Sequence, residues 1–373
     1  MRVVVAPDKF KGSATAAEVA AALAAGLRHG RPDLEVVELP VADGGDGTVA
    51  AALAAGFAPV VTVAEGPAGQ PVETTFALKD GTAVIELADV AGLRRLPGGE
   101  PAPLTASTYG VGQVIGAALD DGATTIVLGI GGSATTDGGA GMVQALGVRL
   151  ADEHGADLAR GGAALGGLAV IDPGGLDGRI GAVRFLVASD VDNPLLGPSG
   201  AAAVFGPQKG AGPADVIVLD WALARWAALT RSLTGQDLAG AAGAGAAGGT
   251  GFAALAYFGA RLVAGADLVL DLIGFESALA GTALVITGEG SLDAQTLGGK
   301  APLGVTRAAG RRGVPVAVVA GQVLLTAGEL TAAGFAAAYA LADIEPDQAV
   351  SMARADELLG LIGRQIAASP LVT

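Results

Sequence analysis

Residues 126–141 read IVLGIGGSATTDGGAG, an apolar run followed by a loop of glycine and hydroxyl residues. This order predicts a strand at 125–128, a glycine-rich loop and a helix at 140–146. Glycines let backbone N–H groups approach an anion, and a helix N-terminus adds about half a positive charge. The stretch therefore predicts phosphate binding, although a tight turn with Asp137 as helix N-cap is the structural alternative. The residues expected to contact phosphate are Gly131, Gly132, Ser133, Thr135 and Asp137.

Strands followed by helices recur on both sides of this loop, and they predict an α/β fold. The N-terminal part has an apolar run at 3–5, an Ala-rich helical stretch at 15–28 and a second apolar run at 35–39. The apolar runs of the C-terminal third are 284–286, 314–319 and 335–341. Continuous apolar strands that alternate with helices are typical of a parallel sheet covered on both faces. We therefore predict a doubly wound, five-stranded sheet shared by the two ends of the chain.

The middle of the chain predicts a second α/β domain inserted into the first. Apolar runs near 60–63 and 83–87 are accompanied by turn residues at Gly66-Pro67 and Asp80-Gly81, which indicates a β-meander. The predicted division has a discontinuous doubly wound domain at 1–58 and 283–373. The inserted domain, which carries the glycine-rich loop, occupies 59–282.

Composition and charge exclude several classes of function. The 373 residues carry a formal net charge of −15, which argues against nucleic acid and anionic membrane surfaces as partners. There is no cysteine, so disulfides, thiolate metal sites and cysteine nucleophiles are excluded. No stretch has the pattern of a transmembrane helix, and the first residues do not form a signal peptide. We therefore expect a cytoplasmic protein in which an anionic substrate would need local positive charge.

The lysines supply such charge at particular loops. The chain has only five lysines, and four of them stand among glycine, serine and proline: Lys9, Lys11, Lys209 and Lys300. A compact ammonium beside bare backbone N–H groups suits phosphate or carboxylate oxygens. A merely solvated surface would have been served equally well by arginine. The lysine positions therefore favour an anionic ligand.

Carboxylates follow several predicted strands directly. Asp43 begins DGGDGT at 43–48, Asp190 lies in SDVDNP at 189–194, and Asp293 ends GEGSLD at 288–293. Ligands of open α/β sheets bind beyond the carboxyl ends of the strands, where carboxylates can coordinate Mg²⁺ or accept a hydroxyl proton. Taken singly, each aspartate is a turn or cap residue. Together with the lysines and glycines, they predict a kinase-like site, though not an ordinary P-loop, because Lys300 is followed by Ala301.

A rival interpretation uses the same glycine-rich loop. Gly129, Gly131 and Ala134 match a loose dinucleotide-binding fingerprint, and Asp152 lies at about the right distance downstream. This alternative predicts an NAD-dependent oxidoreductase. It leaves the lysines and aspartates of the other loops without a function.

Six blocks of the sequence resemble bacterial glycerate kinases of the first type, the glycerate 2-kinases. The blocks are APDKFKGS at 6–13, LPVADGG at 39–45, GIGGSATTDGG at 129–139, DVDNPL at 190–195, FGPQKG at 205–210 and ITGEGSLDAQT at 286–296. The resemblance implies ATP- and Mg²⁺-dependent phosphorylation of D-glycerate, giving 2-phosphoglycerate. It also implies two α/β domains, one with a Rossmann- or flavodoxin-like doubly wound sheet, and a site in the cleft between them.

The resemblance and the loop chemistry together suggest roles for individual residues. Lys11 and Lys300 are expected to hold the glycerate carboxylate, and Asp190 to act as general base or to orient the attacking hydroxyl. Lys209 is expected to stabilise charge on the transferring phosphoryl group. The expected Mg²⁺ ligands are Asp293 and Asp8, with Asp43 as a further candidate. The remaining substrate-binding candidates are Lys9, Ser13, Asp43 and Gly44.

Two alternatives remain at this point, and the sequence alone also leaves open whether the 2-hydroxyl or the 3-hydroxyl of glycerate accepts the phosphate. Besides the oxidoreductase, a glycerate- or phosphate-binding regulator without catalysis would bind its ligand and leave ATP unconsumed. The sequence leaves open whether the protein is a monomer or a homodimer.

Overall fold

The computed structural model describes residues 1–372, which form thirteen strands and fourteen α-helices. The strands are β1 (Arg2–Pro7), β2 (Glu35–Glu38), β3 (Ala58–Glu65), β4 (Pro71–Lys79), β5 (Thr82–Glu86), β6 (Thr125–Gly129), β7 (Arg149–Ala151), β8 (Val170–Asp172), β9 (Arg184–Ala188), β10 (Arg261–Val263), β11 (Thr282–Leu292), β12 (Val316–Val323) and β13 (Ala337–Ala340). The helices are α1 (Ala16–Gly30), α2 (Thr48–Ala54), α3 (Leu87–Ala91), α4 (Tyr109–Asp120), α5 (Ala140–Ala145), α6 (Ala201–Phe205), α7 (Pro213–Thr234), α8 (Ala246–Phe258), α9 (Gly265–Leu272), α10 (Phe275–Ala278), α11 (Ala301–Gly310), α12 (Ala327–Ala332), α13 (Gln348–Ala353) and α14 (Ala355–Ala367).

The first sheet consists of five parallel strands in the order β13-β12-β11-β1-β2. Successive side chains of a strand face opposite sides. Val3 and Val5 accordingly pack in one core with α1 and α14, whereas Val4 packs in another with α9 and α11. Since β2 lies on one side of β1 and β11 on the other, the strand order reverses between β1 and β11. Open α/β sheets bind ligands outside the strand ends at such a reversal.

The second sheet has six strands in the order β10-β9-β6-β5-β4-β3. β10, β9, β6 and β5 are parallel, and β5, β4 and β3 form an antiparallel meander. β6 lies inside the sheet, and its successive residues Ile126, Val127 and Leu128 are all buried. Both faces of this strand are therefore covered, and for that reason the strand is apolar on both faces. Its neighbours in the same core include Trp226 of α7 and Phe252 of α8.

The contacts divide the chain into two compact units, which are described separately below. The first unit comprises Met1–Asp43, Ala50–Gly56 and Ala264–Thr373, and the second comprises Gly44–Val49 and Phe57–Val263. The sequence pattern predicts residues 264–282 as part of the inserted domain. In the structure, Val269 and Leu270 of this segment share a core with Val4 and Val285, so these residues pack with the first unit. The contacts also place Gly44–Val49 in the second unit, whereas the predicted discontinuous domain includes them, and the division into domains as a whole stays a prediction.

Most of the predicted architecture is confirmed. The fold is α/β, the N- and C-terminal strands share one five-stranded parallel sheet, and the meander is present. Glycine and proline are frequent between β9 and α7, so residues 189–212 read as one long loop in the sequence, but α6 and a 3₁₀ turn at Pro207–Lys209 lie within this stretch. Among residues 1–372, no helix is both long and apolar enough to cross a membrane.

Candidate active site

In the second unit, the glycine-rich loop and the loop with Asp190 start at the same edge of the sheet. The register of the parallel strands aligns Glu86 of β5 with Gly129 of β6, and Gly129 with Ala188 of β9. Asp190 follows β9 shortly after Ala188 and is exposed. Parallel strands all have their carboxyl ends at the same end of the sheet. The residues predicted to bind phosphate and the predicted base, Asp190, therefore lie at that one end.

The glycine-rich loop exposes only its first part. Gly132 is exposed and Gly131 is partly exposed, whereas the loop from Ser133 to Asp137 is buried. The hydroxyl groups of Thr135 and Thr136 are buried and have no hydrogen-bond partner within the described chain. The part of the loop that a phosphate can reach is therefore the backbone of Gly131 and Gly132, with Ser133 at the boundary.

Asp137 points into the protein and organises the loop. Its carboxylate accepts hydrogen bonds from the backbone N–H groups of Thr108 at 2.8 Å, Gly139 at 3.1 Å and Gly141 at 3.2 Å, and from the Thr108 hydroxyl at 2.9 Å. Burial raises the pKa of Asp137, and the hydrogen bonds from Thr108, Gly141 and Gly139 oppose that rise. Asp137 thus occupies the N-terminus of the six-residue helix α5, the end at which the sequence pattern predicts phosphate.

Lys209 lies beneath the same loop, with 2% of its surface exposed. Its Nζ donates hydrogen bonds to Ser133 Oγ at 2.8 Å and to the carbonyl oxygen of Thr135 at 2.5 Å. Burial lowers the pKa of Lys209 to about 7, and the negative charge of Asp137 opposes the fall. Two hydrogen bonds of the ammonium are thus made within the protein, to residues of the predicted phosphate-binding loop.

The loop at 44–49 is attached to the second unit by Glu86, a residue that the sequence analysis did not identify. The buried Glu86 carboxylate accepts the backbone N–H groups of Gly47 at 3.0 Å and Val49 at 3.4 Å. Burial, followed by the charges of Asp89 and Asp46, raises the pKa of Glu86 to about 7. The available signal was an acidic residue at the end of the apolar strand TAVIE.

The loop at 44–49 also lies directly against the glycine-rich loop. A Cβ atom on Gly131 would come within 2.7 Å of Gly45 Cα, and one on Gly129 within 2.7 Å of the Gly44 carbonyl oxygen. Glycine is therefore required at both positions for this backbone-to-backbone contact. The contact places Gly44, a substrate-binding candidate, beside the residues predicted to bind phosphate.

A second glycine-rich segment, 243–251, touches both functional loops of this unit. Gly245 N–H donates to the Asn193 carbonyl at 2.9 Å, and Gly138 N–H donates to the Gly248 carbonyl at 2.9 Å. Residues 247–249 are left-handed, with φ of 51° for Ala247, 67° for Gly248 and 93° for Gly249. Such a conformation suits glycine and is costly for other residues. The segment therefore ties the loop that carries Asp190 to the end of the glycine-rich loop.

In the first unit, acidic and basic candidates gather where the strand order reverses. Asp8 follows β1, its N–H donates to the Gly288 carbonyl of β11 at 2.8 Å, and its side chain is buried. Lys9 donates to Asp8 Oδ1 from its backbone N–H at 2.7 Å and from Nζ at 3.4 Å. Burial raises the pKa of Asp8 to about 7, Lys9 opposes the rise, and the charges of Asp43 and Glu289 add to it.

Lys300 belongs to a small network with Glu289. Lys300 Nζ lies 3.2 Å from Glu289 Oε2 and 4.0 Å from Asp293 Oδ1. Thr296 Oγ1 donates to Glu289 Oε1 at 2.5 Å. Burial raises the pKa of Glu289, while the hydrogen bond from Thr296 and the charge of Lys300 oppose that rise. The network orients Lys300, which keeps 31% of its side chain exposed and can reach a ligand.

Lys11 and Ser13 lie close to the same strand end. Lys11 is exposed, and a Cβ on Gly290 of β11 would stand 3.3 Å from the Lys11 backbone nitrogen. Ser13 Oγ donates to the Phe10 carbonyl at 3.1 Å. The first unit thus gathers all its predicted lysines and carboxylates around the ends of β1 and β11.

The carboxylates of the first unit are compatible with Mg²⁺. Within residues 1–372, no three His, Cys, Asp or Glu side chains are close enough to form a complete metal cage. Mg²⁺ is usually held by one or two carboxylates together with water and substrate phosphates, so a complete cage is not required. The mutual repulsion of Asp8, Asp43 and Glu289 would be relieved by a cation, and Asp8 and Asp293 remain the candidate ligands.

The structure does not favour the dinucleotide alternative. A dinucleotide-binding loop presents the free N-terminus of the following helix to the pyrophosphate. Here that helix is short and Asp137 occupies its N-terminus. Asp152, the candidate ribose ligand, instead accepts the backbone N–H groups of His154 and Ala156 at 2.9 Å in a turn.

Comparison with known proteins identifies the same family by a family model and by individual relatives. A protein-family model described as the glycerate kinase family matches residues 3–370. Glycerate kinase of Bacillus subtilis (strain 168) is 47% identical over 326 residues, which cover 87% of this chain and 85% of the relative. Glycerate 2-kinase of Escherichia coli (strain K12) is 44% identical over 87% of this chain and 86% of its own length.

The fold also matches a solved structure. The crystal structure of a candidate glycerate kinase 2 from Salmonella typhimurium LT2 superposes with a TM-score of 0.87 at 44% sequence identity. The match covers 99% of this chain and 97% of the Salmonella chain. The similarity therefore extends over both units.

Proposed function

The chain belongs to the glycerate kinase family, and from this premise we propose that it transfers the γ-phosphate of ATP to the 2-hydroxyl of D-glycerate with the help of Mg²⁺. The observation that carries the kinase reaction is the family match across residues 3–370. The choice of the 2-hydroxyl is supported by the similarity to glycerate 2-kinase of Escherichia coli. The product would be 2-phosphoglycerate.

Gly131, Gly132 and Ser133 are the proposed contacts of the ATP phosphates. Gly131 and Gly132 are the accessible start of the glycine-rich loop, Ser133 follows where the loop becomes buried, and bare N–H groups of such loops are good donors to phosphate oxygens. Thr135 and Asp137 contribute indirectly, because their side chains are buried and the Asp137 carboxylate is bonded to the protein itself. This divides the five residues of the glycine-rich loop that were predicted to bind phosphate into three contacts and two supports.

Lys11 and Lys300 are the proposed anchors of the glycerate carboxylate, and Lys9, Ser13, Asp43 and Gly44 are further proposed substrate contacts. A charge-assisted hydrogen bond to a carboxylate contributes about 1.5–3 kcal/mol, which suits a small substrate with few groups to bind. Asp190 is the proposed base or orienting group for the attacking hydroxyl. Mg²⁺ held by Asp8 and Asp293 would neutralise charge on the ATP phosphates.

The product identifies both the reaction and the acceptor hydroxyl. Purified protein is incubated with ATP, Mg²⁺ and D-glycerate, and the product is analysed by proton-coupled ³¹P NMR. A doublet from one carbon-bound proton is expected for 2-phosphoglycerate. A triplet from two such protons would identify 3-phosphoglycerate and overturn the choice of hydroxyl. Unchanged ATP, compared with a sample lacking glycerate, would contradict the proposed reaction and favour a binding protein.

The proposed reaction also bears on where the protein acts, and its assembly can be measured directly. A kinase that consumes ATP is expected where ATP is supplied, which favours the cytoplasm. Multi-angle light scattering of the purified chain distinguishes the two proposed assemblies, monomer and homodimer.

A further inference from the structure

The loop predicted to bind phosphate is held by a lysine that faces away from solvent. Lys209 is only 2% exposed, yet its Nζ contacts Ser133 Oγ at 2.8 Å and the Thr135 carbonyl at 2.5 Å. An ammonium has three donors, so two of them are committed to this loop. A lysine that served as a direct phosphate ligand would need its head group accessible.

We propose that Lys209 is a positioning residue of the kinase reaction, which fixes the glycine-rich loop so that Gly131 and Gly132 present their N–H groups to ATP. The inference rests on the proposed role of that loop in binding the ATP phosphates. Lys209 acts through Ser133 and Thr135. It does not contact the transferring phosphoryl group.

The two ends of the loop are fixed by different groups. Asp137 binds the N–H groups of Thr108, Gly139 and Gly141, and Gly138 is bonded to the Gly248 carbonyl. These contacts hold the part that enters α5. Lys209 is bonded to the part between Gly132 and Asp137. Two backbone hydrogen bonds also reach this part, from Ala134 N–H to the Ala91 carbonyl at 2.9 Å and from Leu93 N–H to the Gly132 carbonyl at 3.3 Å. Without the ammonium, the loop would keep these two bonds and lose the two that Lys209 makes to Ser133 and Thr135.

The requirement for lysine at this position follows from the surroundings. Methionine has a similar length, but it would leave the Thr135 carbonyl and the Ser133 hydroxyl without this donor in a buried place, which is unfavourable. The planar guanidinium of arginine is larger than an ammonium and would have to fit into the same closed space. Asp137 supplies the compensating negative charge.

Comparison of ADP with ATP distinguishes positioning from direct contact with the γ-phosphate. Dissociation constants of both nucleotides with Mg²⁺ are measured by calorimetry for the wild type, Lys209→Met and the control Lys79→Met. Lys79 is exposed and lies over the Phe57 ring, away from glycine-rich loops. A positioning residue predicts that Lys209→Met weakens ADP and ATP by the same factor, about tenfold, and leaves the KM of glycerate unchanged.

Other outcomes would overturn the inference. Weakening of ATP alone, with ADP unchanged, would assign Lys209 to the γ-phosphate. If a folded Lys209→Met variant bound both nucleotides as the wild type does, the position of the loop would not depend on Lys209. If that variant does not fold, Lys209→Gln, which keeps an N–H donor but loses the charge, is measured in its place, and an equal weakening of ADP and ATP is again expected. Product formation by the wild type, followed by ³¹P NMR, tests the proposed function separately.

Discussion

Lys300 Nζ lies 3.2 Å from Glu289 Oε2, while the other oxygen of the same carboxylate accepts the Thr296 hydroxyl at 2.5 Å. Glu289 is buried and is therefore fixed from two sides. Lys300 is partly exposed, so one of its donors is oriented by Glu289 while the ammonium still reaches solvent. The Lys300 ammonium is therefore already oriented and can bind an anionic group with little movement.

Replacement of Lys300 tests its proposed role at the glycerate carboxylate. Lys300→Met is expected to raise the KM of glycerate by about tenfold or more, because a charge-assisted hydrogen bond of about 1.5–3 kcal/mol is lost. The KM of ATP should change little. Steady-state kinetics with each substrate varied in turn make the measurement, and Lys79→Met is the control. A rise in the KM of ATP alone would move Lys300 to the nucleotide.

Glu86 is expected to make stability depend on pH. Its pKa is about 7 in the folded protein, against an ordinary value of 4.5. Between these values the folded state binds more protons than the unfolded state, so the free energy of unfolding falls as the pH rises from about 4.5 to 7. Glu86→Gln removes this contribution and should make the dependence less steep, while the contribution of Asp8, whose pKa is also raised to about 7, remains. Denaturant unfolding from pH 4.5 to 8 measures it.

The matched control for this experiment is Glu73→Gln, on an exposed position of β4. It should follow the wild-type curve. If Glu86→Gln and the wild type remained parallel across the whole range, Glu86 would not be the titrating group. Its attachment of Gly47 and Val49 would then have to be independent of its charge.

The segment at 243–251 can be tested by adding a single methyl group. Gly248 has a φ of 67°, and a Cβ there would collide with the Thr135 carbonyl. Gly248→Ala is therefore expected to cost about 1–2 kcal/mol from backbone strain alone, with more from the collision. Gly240→Ala is the control, because nothing lies within 4 Å of its Cβ position. Thermal unfolding compares the two, and equal melting temperatures would contradict the proposed packing.

The fold was largely accessible from the sequence because its strands need burial on both faces. The apolar runs at 3–5 and 284–286 could only be satisfied inside a covered sheet, and they are paired in register as β1 and β11. Helix α8 was missed, since its first residues AAGGTG have the composition of a loop. Its stability comes from packing of Phe252 in the core beside Trp226, and local propensity does not reveal such contacts.

For the candidate site, the sequence predicts only which loops take part. Sequence patterns identified which loops carry glycine, lysine and aspartate, but side-chain direction depends on partners elsewhere in the chain. Asp137 turns inward because Thr108, 29 positions earlier, offers its backbone and hydroxyl donors. Lys209 is bonded to Ser133, 76 positions away. Glu86 had no motif of its own, because it acts on a loop that precedes it by 37 positions or more.

Asp190 provides the test of the chemical step. It follows β9 at the same sheet edge as the glycine-rich loop, and Asn has nearly the same shape without the negative charge or the ability to accept a proton. Asp190→Asn is expected to lower kcat by about tenfold or more, in line with the usual contribution of a general base, and to leave the KM of ATP nearly unchanged. Asp192→Asn, a neighbour in the same loop, is the matched control. Rapid-quench measurement of a single turnover separates the phosphoryl-transfer step from product release. If Asp190→Asn retained the wild-type single-turnover rate, the base would have to be sought elsewhere, and positioning with charge neutralisation would account for the reaction without it.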